Sequence, residues 1–211
     1  MIGTARVENF RAAMEEVNRN NIPGAIVELG VWRGGAMILA AAVCKDSGIA
    51  RDLFVVDAFE DIPPGQYGMA SGYLRSTEKQ VEDNFRALSV YDPNHVHFIK
   101  GLFKDTVPAM SKHDKLDSIA VLRVDANFYD SYQDVMYLLY EKVPVGGIVI
   151  FDDVFTHAPV TEFWEHFKQD QGITEVLNRI DRHSGWFRKT KAVTIDQSKM
   201  RPARDVNTRT A

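Results

Sequence analysis

The stretch "VELGVWRGGAMILAAAVC", residues 27–44, decides the fold of this chain. It begins as an apolar strand, turns at Gly30, Gly34 and Gly35, and continues with the spacing of a helix. Glycines let the backbone turn tightly and approach a bound molecule closely. The spacing E-x-G-x-x-x-G-G differs from the dinucleotide pattern G-x-G-x-x-G. A cofactor-binding turn and a strand–helix turn without a ligand are therefore both open at this point.

Five short apolar runs alternate with helical patterns along the chain. Several runs are apolar on both faces, which is typical of parallel strands covered by helices on both sides. The alternation predicts an α/β fold with a doubly wound, mostly parallel, Rossmann-like sheet. Two late runs predict an antiparallel C-terminal hairpin. The apolar runs are 25–29, 53–59, 96–101, 119–125 and 146–153, the helical patterns are 5–20, 34–45, 77–88 and 129–142, and the hairpin runs are 174–181 and 185–193.

The chain is expected to form a single domain over residues 1–195, followed by a polar tail over 196–211 that frays from Gln197. Residues 60–76 are rich in glycine and proline and lack periodicity, which is typical of a functional loop. We expect this loop, with Tyr67 and Tyr73, and the N-terminal helix within residues 1–22 to form a lid. Thr77 and Gln80 have the spacing of a capping box at the start of a helix.

Composition excludes several classes of function. A net charge of -4 and a pI near 5.9 argue against binding to nucleic acid. The single cysteine, Cys44, permits no intrachain disulfide and fits a reducing compartment. The N-terminus lacks the apolar core of a signal peptide, and no apolar run is long enough to span a membrane. We therefore expect a cytoplasmic protein that binds neither nucleic acid nor membrane, and a homo-oligomer is left open.

Charged residues mark the ends of the predicted strands, where open parallel sheets bind their ligands. Asp57 ends the second strand, where a carboxylate can bind the two hydroxyls of a ribose. Its alternative role is to cap a helix or a turn. Together with the glycine turn, Asp57 suggests a ligand that contains adenosine. The charged residues at strand ends are Glu28, Asp57, Lys100, Asp125, Asp152 and Asp153.

Three of these acids follow two consecutive strands. Asp125 ends one strand, and Asp152 and Asp153 end the next. Oxygen donors at one point suit Mg²⁺ or a similar hard divalent cation, and carboxylates crowded together repel one another without a cation. The alternative is that the three acids are separate turn and cap residues.

At this point the sequence resembles the macrocin O-methyltransferase family from Met1 to about Lys191. The resemblance rests on the motifs "MIG" (1–3), "VELGVWRGGA" (27–36), "VVDAFEDIPP" (55–64), "IKGLFKDTVP" (99–108), "AVLRVDANFYDSYQD" (120–134) and "GGIVIFDDV" (146–154). It implies a class I, S-adenosylmethionine-dependent and Mg²⁺-dependent O-methyltransferase. The implied acceptor is a hydroxyl of a small molecule, such as a (deoxy)sugar of a natural product or another diol.

The resemblance also implies roles for individual residues. Independently of the resemblance, Asp125 is the candidate for the catalytic base, because it can contact both metal and substrate, and His157 is a second candidate. The family usually has D-G-D where this chain has Asp125-Ala126-Asn127, so the role of the second acid is in doubt here. The resemblance implies Glu28, Gly30 and Asp57 as cofactor contacts, and Asp125, Asp152 and Asp153 as Mg²⁺ ligands. Phe59, Gly101 and Phe103 are further expected cofactor contacts, and packing in the core is the alternative for the two phenylalanines.

Two other functions remain open from the sequence. A nucleotide-dependent oxidoreductase would also bind an adenosine-containing cofactor, although it would not need the three acids. A catalytically inactive, methyltransferase-like binding protein is the other, because of the change at Asn127.

Overall fold

The computed structural model describes residues 2–60 and 74–203, and its sheet confirms the predicted fold class. The first five strands run parallel, β7 pairs antiparallel with β5, and β6 pairs antiparallel with β7. The strand order is β3-β2-β1-β4-β5-β7-β6. The strands are β1 (Ala25–Leu29), β2 (Leu53–Asp57), β3 (Val96–Lys100), β4 (Ile119–Val124), β5 (Ile148–Phe151), β6 (Asn178–Arg179) and β7 (Gly185–Arg188).

The described part of the chain contains six α-helices, of which α1 precedes β1 and the other five lie between strands. Four lie where the sequence predicts them, and the capping box is present because Thr77 and Gln80 each accept a hydrogen bond from the other's backbone N–H. The two helices α4 and α6 were not predicted. The helices are α1 (Thr4–Arg19), α2 (Gly35–Ser47), α3 (Glu78–Ala87), α4 (Phe103–Met110), α5 (Tyr129–Leu139) and α6 (Ala158–Gln171).

The helices cover the two faces of the sheet and create two apolar cores. One core contains buried residues of α1, α2 and α3, and the other contains buried residues of α4, α5 and α6. The chain leaves β1 toward β2 and β3 on one side, and β4 and β5 lie on the other side. The strand order therefore reverses between β1 and β4, which is where ligands bind in open α/β sheets.

The N-terminal helix α1 is part of the core. Its residues Phe10, Ala13, Met14 and Val17 are buried against neighbouring elements. Its role in a lid remains a prediction. Most of the predicted lid loop, including Tyr67 and Tyr73, lies in residues 61–73, outside the described part of the chain.

The expectation that the chain frays from Gln197 is wrong as far as Arg201. The backbone of Arg201 exchanges two hydrogen bonds with the side chain of Gln133 on α5, and its guanidinium binds Asp170 on α6. Gln197 also donates to the carbonyl of Tyr137 at 2.6 Å. These contacts attach the polar segment to the outer helices.

No helix among residues 2–60 and 74–203 is both long and apolar enough to cross a bilayer.

The glycine turn supplies the first prediction. Gly30 has a φ of 91°, and a Cβ at this position would lie 1.9 Å from the backbone oxygen of Asp125. Gly30→Ala should therefore reduce the free energy of unfolding by about 2–4 kcal/mol, through backbone strain and a steric clash. Urea denaturation measures this change.

Gly35 provides the matched control in the same turn. A Cβ there meets no atom within 4 Å, and the residue begins α2. Gly35→Ala should be neutral or stabilise the fold by up to about 1 kcal/mol. Equal stabilities for the two variants would contradict the role of Gly30 in the close approach of β1 to β4.

Candidate active site

A buried arginine organises the carboxyl ends of the central strands. Arg123 pairs with Glu28 in the register between β4 and β1, and its guanidinium donates to Glu28 Oε1. It also donates to Asp125 Oδ2 at 3.0 Å and to Asp152 Oδ2. Arg123, Glu28 and Asp152 are each at most 3% exposed. One cation therefore holds three acids that the sequence places at strand ends.

The pKa values of the neighbouring carboxyls of Asp125 and Asp152 shift in opposite directions, because the two groups have different surroundings. Burial opposes the ionisation of Asp152, but Arg123, the Ser184 hydroxyl and Arg6 lower its pKa overall. Partial burial and the adjacent charge of Asp152 outweigh the effect of Arg123 and raise the pKa of Asp125 to about 8. Of the two, Asp125 is the carboxyl that takes up a proton more readily.

Residues of α1 and of the C-terminal hairpin meet at the second carboxylate oxygen of Asp152, Oδ1. Arg6 Nη1, in the first turn of α1, lies 2.5 Å from Asp152 Oδ1. Ser184, in the hairpin turn, donates its hydroxyl to the same oxygen. Asp181 accepts from Arg6 Nε at 2.7 Å and from the backbone N–H groups of His183 and Ser184 at 2.8 Å. Helix α1 and the hairpin are thus joined through the acid that follows β5.

The three predicted metal ligands lie at one edge of the sheet, but they differ in accessibility. Asp125 and Asp153 are half-buried, whereas Asp152 is buried and already bonded to both arginines. Among the described residues, no group of three or more His, Cys, Asp or Glu side chains is arranged to hold a metal ion. The donor chemistry fits Mg²⁺, because all three ligands offer oxygen.

Asp57 lies at the same edge and binds the glycine turn directly. Its Oδ2 accepts from the backbone N–H groups of Val31 and Trp32, both at 2.9 Å, and its Oδ1 accepts from Phe59 N–H at 3.0 Å. The alternative role of Asp57 as a turn residue is therefore present in the structure. Its Oδ1 retains one acceptor position, so binding to a ribose hydroxyl remains a prediction.

Two buried polar atoms beside this turn have no partner among the described residues. Glu28 Oε2 is a free acceptor, and Trp32 Nε1 is a free donor. Burial raises the pKa of Glu28 despite its contact with Arg123, so a cationic partner at Oε2 would stabilise the ionised form. These features fit the ammonium and other polar groups of S-adenosylmethionine. Arg33, by contrast, is exposed, and its Cζ lies 4.8 Å from the centroid of the Trp32 ring.

The other expected cofactor contacts have different surroundings. Phe59 is buried in the core, and its ring centroid lies 6.2 Å from that of Phe98. Phe103 begins α4 and is half-buried. Gly101 has a φ of 140°, and a Cβ there would lie 2.7 Å from Thr106 Cγ2, so the turn into α4 itself requires glycine. Contact of these three residues with the cofactor remains a prediction.

The second candidate base, His157, links two loops of the site. Its Nε2 donates to the backbone oxygen of Asn127 at 2.7 Å, joining the loop after β5 to the loop after β4. This bond leaves only Nδ1 of a neutral ring as an acceptor. A positioning role for His157 follows directly from the bond, and its role as a base remains a prediction.

Sequence reasoning missed the arginines and the serine that bind the acids. Arg123 is the only charge within the apolar run 119–124, and a charge inside a buried strand requires partners, so this signal was present in the sequence. Arg6 and Ser184 carry no comparable signal. They lie far from Asp152 along the chain and meet it only through tertiary packing.

A buried tyrosine joins the two strand ends that carry the acids. Tyr132 places its hydroxyl 2.9 Å from the backbone oxygen of Val124 and 2.7 Å from that of Asp152. These carbonyls immediately precede Asp125 and Asp153. The hydroxyl therefore positions both acids through the backbone.

Tyr132→Phe should reduce the free energy of unfolding by about 1–2 kcal/mol, because the variant removes a buried donor from two carbonyls. Tyr140→Phe is the matched control, since the Tyr140 hydroxyl is buried with no partner among the described residues. We expect the control to be neutral or slightly stabilising. Denaturant titration of both variants tests this difference, and equal losses would argue against the contact.

Comparison with known proteins identifies the family of this chain. The macrocin-O-methyltransferase (TylF) family matches residues 1–189. Demethyldecarbamoylnovobiocin O-methyltransferase of Streptomyces niveus is 37% identical over 90% of this chain and 76% of the relative. Mycinamicin III 3''-O-methyltransferase of Micromonospora griseorubida is 31% identical over 90% of this chain and 78% of the relative.

A solved structure agrees with this assignment. The O-methyltransferase NovP matches with a TM-score of 0.82 and 37% identity, over 90% of this chain and 81% of NovP. The O-methyltransferase TomG of Streptomyces achromogenes, solved with S-adenosylmethionine, shares the fold with a TM-score of 0.60 at 13% identity, over 90% of this chain and 82% of TomG. The chain belongs to the macrocin O-methyltransferase family and is an S-adenosylmethionine-dependent O-methyltransferase.

Proposed function

We propose that this enzyme methylates a hydroxyl of a sugar in a natural product, or of a similar small-molecule diol. Relatives named for methylation of novobiocin and mycinamicin precursors support this class of acceptor. The observation that carries the proposal is the shared guanidinium of Arg123. It binds Glu28 beside the glycine turn and Asp125 beside the predicted acceptor site. A cofactor bound to the first acid would lie next to a hydroxyl bound by the second.

The cofactor site consists of the glycine turn and the residues that hold it. Glu28 Oε2 would accept from the methionine ammonium, and Asp57 would accept one ribose hydroxyl while it holds the turn through the backbone N–H groups of Val31 and Trp32. S-adenosylmethionine, when bound, supplies a methyl group on a positively charged sulfur. Gly30 keeps the turn against β4, so that the distance between the two parts of the site is set by the backbone.

The acid cluster would bind and activate the acceptor. Asp125, Asp152 and Asp153 are the proposed ligands of Mg²⁺, which lowers the pKa of a hydroxyl that it binds. Asp125 would accept the proton of that hydroxyl, because its carboxylate is half-buried and contacts only one of the two arginines. The Tyr132 hydroxyl would hold the backbone on both sides of this group.

The cofactor assignment predicts the effect of a change at Glu28. Glu28→Gln keeps the size and one acceptor for Arg123 but removes the charge and the free acceptor at Oε2. Affinity for S-adenosylhomocysteine should fall about tenfold, as expected for the loss of a charged hydrogen bond. Isothermal calorimetry measures the affinity, with Glu8→Gln on the exposed face of α1 as a control. Unchanged affinity in Glu28→Gln would remove this residue from the cofactor site.

The metal and base assignments predict a separate effect on the methyl-transfer step. Asp125→Asn should lower kcat by about 100-fold or more, because it removes the proposed base and the negative charge of one proposed metal ligand. Affinity for S-adenosylhomocysteine should change little. EDTA should abolish turnover, and Mg²⁺ should restore it.

Mass spectrometry of methylated products, with a panel of sugar and catechol diols, tests the function as a whole. Asp46→Asn, on the surface, controls for the loss of one negative charge. Full turnover in EDTA would overturn the magnesium assignment and leave the methyltransferase assignment in place. Binding of S-adenosylhomocysteine without methylation of any diol would support the inactive alternative.

A further inference from the structure

The ring of His183, in the turn of the C-terminal hairpin, lies beside the acid cluster. Its Nδ1 is 3.8 Å from Asp153 Oδ1. No step of the proposed reaction uses this side chain. It is 40% exposed, so a small molecule bound at the acids can contact it. His183 is therefore placed to touch the acceptor.

Contacts with two parts of the chain fix the position of the ring. The backbone N–H of His183 donates to Asp181 Oδ1 at 2.8 Å, and its backbone oxygen accepts from the Phe155 N–H at 2.9 Å. The Thr156 hydroxyl lies 2.7 Å from ring Nδ1, and the Thr156 N–H donates to the backbone oxygen of Asp153 at 3.1 Å. The loop that carries Asp153 therefore also orients the ring, as a preorganised binding residue requires.

The other ring nitrogen, Nε2, has no hydrogen-bond partner within residues 2–60 and 74–203. If Nδ1 of the neutral ring accepts from the Thr156 hydroxyl, Nε2 carries the proton and can donate. If Nδ1 donates to Thr156, Nε2 can accept. A hydroxyl group both donates and accepts, so it can pair with either form of the ring. Nε2 thus offers one hydrogen bond to a hydroxyl while the contact with Thr156 persists.

We propose that His183 Nε2 binds a second hydroxyl of the acceptor, adjacent to the one that is methylated, and thereby selects acceptors with two neighbouring hydroxyls. This inference rests on the proposed function, since it assumes that the acceptor binds at the acid cluster. Adjacent hydroxyl oxygens of a sugar ring are separated by about the length of a hydrogen bond. A sugar held beside Asp153 through one oxygen can therefore reach the His183 ring with the next.

Two amide variants distinguish the two ring nitrogens. The side-chain amide of asparagine lies near the place of Nδ1, whereas that of glutamine reaches the place of Nε2. His183→Asn should raise the KM for the acceptor about tenfold, because it removes the polar group at Nε2. Its kcat and its affinity for S-adenosylhomocysteine should change little. His183→Gln should restore a KM close to that of the wild-type enzyme.

The acceptor in these measurements is the methyl glycoside with adjacent hydroxyls that the wild-type enzyme methylates fastest. Its deoxy analogue, which lacks the hydroxyl next to the methylated one, should have a KM about tenfold higher with the wild-type enzyme. With His183→Asn, both acceptors should have the same KM, because the bond is already lost. His95→Asn is the matched control, since the His95 side chain is also 40% exposed but precedes β3, at the opposite edge of the sheet.

A purely structural role of the ring through Thr156 predicts the reverse order of the variants, with KM raised in His183→Gln and unchanged in His183→Asn. That order would overturn the inference, as would a difference between the two acceptors that persists in His183→Asn. Equal KM values for both acceptors with the wild-type enzyme would overturn it without any variant. If the wild-type enzyme methylates no glycoside and no catechol, the proposed acceptor class fails, and the inference fails with it. Circular dichroism checks that each variant is folded.

Discussion

A single guanidinium, that of Arg123, binds one carboxylate from each of three neighbouring strand ends. Glu28, Asp125 and Asp152 would repel one another at these short distances, and the burial of Glu28 and Asp152 would be costly without a shared cation. Arg123 removes that repulsion from inside the sheet, where its planar fork reaches acids on both neighbouring strands. The positions of the cofactor acid and the proposed base therefore depend on the same side chain.

The rest of the site is assembled around this centre by distant parts of the chain. Arg6 and Asp181 lie 175 residues apart in sequence, yet their contact joins the N-terminal helix to the C-terminal hairpin beside Asp152. Tyr132 acts from the opposite face, through the backbone carbonyls of β4 and β5. The acids are thus held by a buried cation, a second and more exposed cation, and a hydroxyl.

Several elements of the fold were predictable because their signals are local. Parallel strands covered on both faces appear as short apolar runs, and all five of these runs form strands of the parallel sheet. Helix α6 also carried a signal, since Val160, Phe163, Trp164 and Phe167 have helical spacing and are buried, but it was not recognised. Helix α4 is short and contains Pro108, so its pattern is weak. The role of Asp57 was ambiguous because turn caps and ribose ligands require the same residue at the same place.

By itself, the sequence determined that an α/β sheet would carry acids along one edge, together with a glycine turn beside them. Physically, this follows because the carboxyl ends of parallel strands share an edge, so residues that end separate apolar runs must be neighbours. Only the tertiary structure decided which cation meets which acid. Pairing between Arg6 and Asp152, or between Ser184 and Asp152, depends on how α1 and the hairpin pack against the sheet. Contacts between such distant residues produce no recognisable pattern in the sequence, because they arise from the packing of whole elements.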